Sequence, residues 1–136
     1  MRTLLLFFGI LWASLVEAEL LVIASPQVPD ATISIRQLAD IYSLKKTIWK
    51  DETQIVPVNR EALSEEREKF SEVVFKLSPL ELAEYWNRQR FQGKLPPLVQ
   101  TSDQSVLGFV RSVPGAVGYI NADQQPTGVK ILLRLP

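Results

Sequence analysis

An α/β domain with a mixed, largely parallel sheet is predicted for this chain, on three observations. Short β-rich runs alternate with amphipathic helical stretches along the sequence. Serines mark helix starts repeatedly: Ser34, Ser64 and Ser78 each stand just before an apolar helical stripe. Pro114-Gly115 places a sharp stop between such a stripe and a short strand.

Taken in order, residues 1–18 read as a secretory signal peptide. Met1-Arg2-Thr3 is a short basic start, Leu4 to Leu15 is almost wholly apolar, and Val16-Glu17-Ala18 offers small residues for cleavage. The apolar run falls short of the roughly 20 residues a spanning helix needs. A retained N-terminal anchor is the alternative. Residues 19–136 are expected to form a single domain, within the usual range of about 50–200 residues.

Glu19 to Ala24 reads as a buried strand, ended by Ser25-Pro26. Ser34 and Gln37 have capping-box spacing, with Ile33 and Leu38 as a hydrophobic staple, and Leu38, Ile41 and Tyr42 form the stripe of the helix near 35–43. Lys50-Asp51-Glu52 is a turn, and Trp49 before it is expected on the sheet edge. Gln54 to Asn59 is the next strand. Its Pro57 implies one unpaired edge or a local irregularity. Ser64 opens a helix over 65–76 with Phe70, Val73, Val74 and Leu77 on one face.

Ser78-Pro79-Leu80-Glu81 opens a third helix, whose Leu82, Tyr85 and Trp86 are expected to face the core. Gly93 to Pro97 is a loop. Thr101 and Gln104 suggest another capping box, and Val106, Leu107, Val110 and Val113 carry the stripe that follows. Ala116 to Ile120 is a short strand, and Val129, Ile131, Leu133 and Leu135 alternate onto one side of a last one.

Composition narrows the function. Histidine and cysteine are both absent, which removes histidine-based metal sites, serine–histidine triads and the usual general base. No pair of carboxylates is placed for acid–base work, so no catalytic residue, metal ligand or cofactor site is assigned and the chain is not read as an enzyme. Fifteen basic and fifteen acidic side chains cancel, and no basic stripe points to nucleic acid.

One constellation does suggest a ligand. Ile55-Val56-Pro57-Val58-Asn59-Arg60 ends a β-rich run in an arginine, and Ser64 begins a helix just after it. A guanidinium, a hydroxyl and the free N–H groups of a helix start then come close together, which favours an anion. Arg67 can reach back from the helix. Glu65 and Glu66 put negative charge in the same turn, and an internal Glu66–arginine pair would occupy the site.

Beyond these pieces, Ile35 to Tyr42, Trp49-Lys50-Asp51, Tyr85-Trp86, Phe91-Gln92-Gly93 and Pro114 to Ile120 follow in a familiar order. The set resembles the phosphate-binding components of ABC transporters, within the type 2 periplasmic-binding-protein superfamily, from about Glu19 to Ile120. The resemblance implies a three-layer sandwich equivalent to one lobe of such a protein. By position it implies that Arg60, Ser64 and Arg67 hold phosphate or a similar oxyanion. Glu65 and Glu66 stand where that family carries small residues, and one lobe supplies only half a site. The expectation is therefore a periplasmic lobe that binds an oxyanion weakly. The rival is a protein–protein adaptor or sensor module with a decayed ligand site, working with a transporter or sensor in the membrane.

Overall fold

The computed structural model describes residues 19–136, together with Gly9. The expected signal peptide lies outside the described residues. The elements are β1 (Leu20–Ala24), α1 (Ile35–Tyr42), β2 (Val56–Arg60), α2 (Glu65–Phe75), α3 (Pro79–Phe91), β3 (Leu98–Gln100), α4 (Asp103–Ser112), β4 (Ala116–Asn121) and β5 (Lys130–Leu135). The strands form one sheet in the order β3-β2-β4-β1-β5. β2 pairs in parallel with β3 and β4, and β1 pairs antiparallel with β4 and β5. Four strands thus share a direction and β1 alone opposes them, which is the mixed, largely parallel sheet expected.

Two apolar cores sandwich the sheet. On one face Leu38, Ile41 and Tyr42 of α1 and Phe70 and Val74 of α2 pack on Val22, Val117 and Tyr119. On the other, Val106 and Val110 of α4 pack on Leu21, Ile23, Val58 and Ile120. Every residue of β1 is buried, because its alternate side chains feed opposite cores. Gly118 lets α4 approach: a Cβ there would lie 2.7 Å from a Val106 methyl. Gly115 has φ +80°, and a Cβ on it would come within 2.2 Å of the Gln54 carbonyl oxygen. No described helix is long and apolar enough to cross a membrane.

Three serine caps fall where expected. Ser34 and Gln37 form the full capping box, and Ser64 and Ser78 each accept from the amide three residues on. Pro57 lies before β3 pairing begins at Val58, so β2 has only β4 beside it there.

Several expectations need correction. Trp49 is buried rather than on an edge, and its indole N–H donates to the Gly115 carbonyl at 3.0 Å. Leu77 lies beyond the end of α2, because Lys76 adopts the left-handed conformation at φ 54° and stops the helix. α3 buries none of its residues: Leu82, Tyr85 and Trp86 are only half-buried, and Tyr85 is tied by its hydroxyl to the Ser43 carbonyl at 2.6 Å. The cap of α4 is Ser102, boxed with Ser105, one residue past the expected pair. Leu98–Gln100, beyond the expected loop, adds a strand that was not anticipated. In β5 the register shifts opposite Val22/Ile23, so Val129 packs on the α4 side while Leu132 and Leu135 enter the other core.

Candidate functional site

Parallel strands that share a direction deliver their carboxyl ends to one side of the sheet, and the helices that follow begin there. β2 ends in Arg60 and leads to α2, β3 leads to α4, and β4 ends in Asn121. Arg60, Ser64 and Arg67 are brought together at this end, together with Asp103 and Asn121, which sequence reasoning did not single out.

Arg60 is 7% exposed. Its Nη1 donates to Asp103 Oδ1 at 2.6 Å and its Nη2 to Glu61 Oε1 at 2.9 Å. Glu66 Oε2 is 3.7 Å from the same Nη2. The buried Nε has no partner among the described residues. One guanidinium thus faces three carboxylates. Such charge-assisted contacts are the strong class of hydrogen bond, contributing about 1.5–3 kcal/mol each where water is excluded.

Asn121 locks two of those carboxylates in place. Its side-chain amide donates to Glu66 Oε1 at 2.7 Å and to Asp103 Oδ2 at 3.0 Å, and its backbone N–H donates to Asp103 Oδ2 at 3.3 Å. For Glu66, burial works to raise the carboxyl pKa. Its own backbone N–H, the Asn121 amide and the Arg60 charge outweigh that and hold it below the ordinary range.

Ser64 and Arg67 are also engaged. The Ser64 hydroxyl donates to the Glu61 carbonyl at 2.9 Å and accepts from the Arg67 amide at 3.2 Å, so it is a working N-cap. Arg67 Nη1 donates to the Arg60 carbonyl at 3.0 Å, fastening α2 to the end of β2. Beneath them the Tyr119 hydroxyl accepts from the Arg60 amide and donates to the Asn59 carboxamide. Burial pushes that phenol well above its usual range, so it stays a neutral donor. Tyr119 is held flat against Phe70, ring centroids 3.9 Å apart.

A groove of about 510 Å³ opens beside the cluster, and Glu65, Glu66, Glu68, Glu72 and Asp123 line it with Lys69 as the one cation. Its lining is net negative and repels anions.

The Arg60 cluster thus lies at the carboxyl ends of the parallel strands of a mixed α/β lobe. The family model described as a PBP superfamily domain matches residues 9–131, and the chain belongs to that family. No curated protein matches the chain. Among solved structures, it is similar to a protein from Clostridium perfringens described as a phosphate ABC transporter substrate-binding protein with bound phosphate. The two share 24% identity and a TM-score of 0.69, over 85% of this chain and 44% of that one. It is also similar to an ABC-type phosphate transport receptor from Vibrio cholerae, with 22% identity and a TM-score of 0.68 over 85% of this chain and 45% of that one. At these identities the likeness establishes the fold. The chain spans less than half the length of the solved structures it matches.

Proposed function

We propose that this chain is an exported, PBP-like lobe that works through protein contact, as a periplasmic adaptor or sensor module for a membrane partner, and binds phosphate or a similar oxyanion only weakly. The observation that carries this reading is the capture of Arg60 by Asp103, Glu61 and Glu66. An oxyanion at Arg60 must displace carboxylates already paired with it, and leaving those charges without a partner is costly. The acidic groove adds repulsion. Export is supported by the basic start and apolar run of residues 1–18.

A second reading, oxyanion binding as the main duty, is favoured by the convergence of Arg60, Ser64 and Arg67 at the start of α2. Titration calorimetry with inorganic phosphate separates the two. The expected dissociation constant is about millimolar or weaker, a binding free energy of roughly −4 kcal/mol at best. Arg60→Ala should remove the residual response, and Glu66→Gln should strengthen it by taking away one competing charge. A micromolar constant in the parent protein would reverse the order of the readings.

A further inference from the structure

The three carboxylates at Arg60 are held in different ways. Asp103 Oδ1 accepts from Nη1 at 2.6 Å, and its Oδ2 accepts from both the side-chain amide and the backbone N–H of Asn121. Its side chain is 12% exposed, so it is a fixed wall of the site. Glu61 accepts from Nη2 at 2.9 Å, but it stands in the loop after β2 with 34% of its side chain exposed. It can turn into water and keep its charge hydrated. Glu66 has neither arrangement. Its Oε2 lies 3.7 Å from Nη2, too far for a hydrogen bond, while the Asn121 amide ties its Oε1 at 2.7 Å. It sits in the first turn of α2 with 20% of its side chain exposed.

Both Glu61 and Glu66 approach the same Nη2. An oxyanion that binds there takes the place of Glu61 and comes to lie against Glu66. A like charge at that range disfavours the ionised form of a carboxyl. Glu66 is tethered and cannot move its charge out to water, so the repulsion is relieved by a proton.

We propose that oxyanion capture at Arg60 is proton-coupled: Glu66 takes up one proton from solvent as the anion arrives, while Asp103 stays ionised and Glu61 swings away. This rests on the weak oxyanion binding proposed above and names what regulates it. The proton goes to the Glu66 carboxylate, whose new O–H can donate to the anion in place of repelling it. Glu66 is faced by Arg60 from β2, Glu61 from the following loop, Asp103 from α4 and Tyr119 from β4. Glu65, Arg67 and Lys69 share its helix, and Asp123 lines the same groove. Tyr119 is a neutral phenol throughout, because burial holds its proton on. In the free protein the Glu66 carboxyl is held below its ordinary 4.5. The bound anion raises it, so between the free and the bound value the anion binds more tightly as pH falls. The coupling is reciprocal, as any two linked binding events must be.

The test is titration calorimetry of the protein with sodium sulfate from about pH 7 to about pH 4.5, at fixed ionic strength and in buffers of different ionisation heat. Sulfate stays a dianion over that range, so a proton taken up belongs to the protein. The association constant should rise at least about tenfold between the two ends, with an uptake that approaches one proton per sulfate. Glu66→Gln should bind sulfate more tightly than the parent at pH 7 and lose the uptake. Glu61→Gln should also bind more tightly but keep it. Arg60→Ala should lose the rise, which separates the site from the growing positive charge of the whole molecule. Circular dichroism checks each fold, and if Glu66→Gln does not fold, retention or loss of uptake in Glu61→Gln decides. No sulfate binding at any pH, no uptake in the parent, uptake that persists in Glu66→Gln, or a rise that persists in Arg60→Ala overturns the proposal. The phosphate titration is read separately. Micromolar phosphate binding at pH 7 with uptake in sulfate reverses the order of the readings and keeps the coupling, whereas weak binding without uptake removes the coupling alone.

Discussion

Arg60 and the three carboxylates around it show how a single residue's partners decide what a site can do. Glu66 is the most informative of them, because its pKa is held below the ordinary value of 4.5. A carboxyl depressed in the folded state contributes stability above its unfolded pKa and loses that contribution as pH falls through its folded pKa. Stability should therefore decline below about pH 4.5 as Glu66 protonates and lets go of Arg60 and Asn121. Glu66→Gln should cost about 0.2–1 kcal/mol at pH 7, the usual worth of a partly solvated pair, with the difference shrinking toward pH 3. Urea midpoints of parent and variant across that range measure it, and a gap that stays constant with pH would contradict the assignment. Arg60, Ser64 and Arg67 were legible in the sequence because they lie within one strand–helix junction. Asp103 was not: it stands 43 residues from Arg60, and only the parallel pairing of β2 with β3 carries α4's first turn to that place. Asn121 was hidden for the same reason, 55 residues from the Glu66 it holds.

At the scale of elements, the caps of α1, α2 and α3 could be read because each depends on residues three apart. The box of α4 slipped by one because Thr101–Gln104 and Ser102–Ser105 both satisfy that spacing. β3 was invisible: it is three residues long, and its reason to be a strand is β2, far back in the chain. α3 was misjudged differently. The spacing of Leu82, Tyr85 and Trp86 correctly gives a common face, but spacing cannot say what that face meets. It meets a cavity of about 230 Å³ shared with Ala39 and Ser43 of the α1 end and Val74 of α2, not the closed core. α4, with Val106 and Val110 fully buried, is the contrast. Few buried apolar groups mean a low free energy of local opening. Amides of residues 79–91 should thus exchange with solvent at least about tenfold faster than those of 103–112 in hydrogen-exchange mass spectrometry. Equal protection would mean that α3 opens only with the whole domain.

At the scale of the whole molecule, the chain's first described strand sits between its last two. β1 is paired on one side with β4 and on the other with β5, so the sheet cannot close until residues 130–135 are in place. β5 also brings Leu132 and Leu135 into the core at 2% and 0% exposure. Losing a buried leucine side chain typically costs about 2–5 kcal/mol, and two such losses approach the roughly 5–15 kcal/mol that holds a domain folded. Removing the strand also strips one side of β1, leaving the backbone groups of five buried residues without their ladder. A protein of residues 19–136 contains every core residue named above and should unfold in urea as one cooperative transition by circular dichroism. A protein of residues 19–128, cut at the Gly128 turn, should show no such transition. A cooperative melt in the shorter protein would mean that β3, β2, β4 and β1 form a sufficient sheet alone, and that β5 only covers an edge. That outcome would move the stability of this lobe away from its one antiparallel strand, β1, and onto the parallel half that builds the Arg60 site.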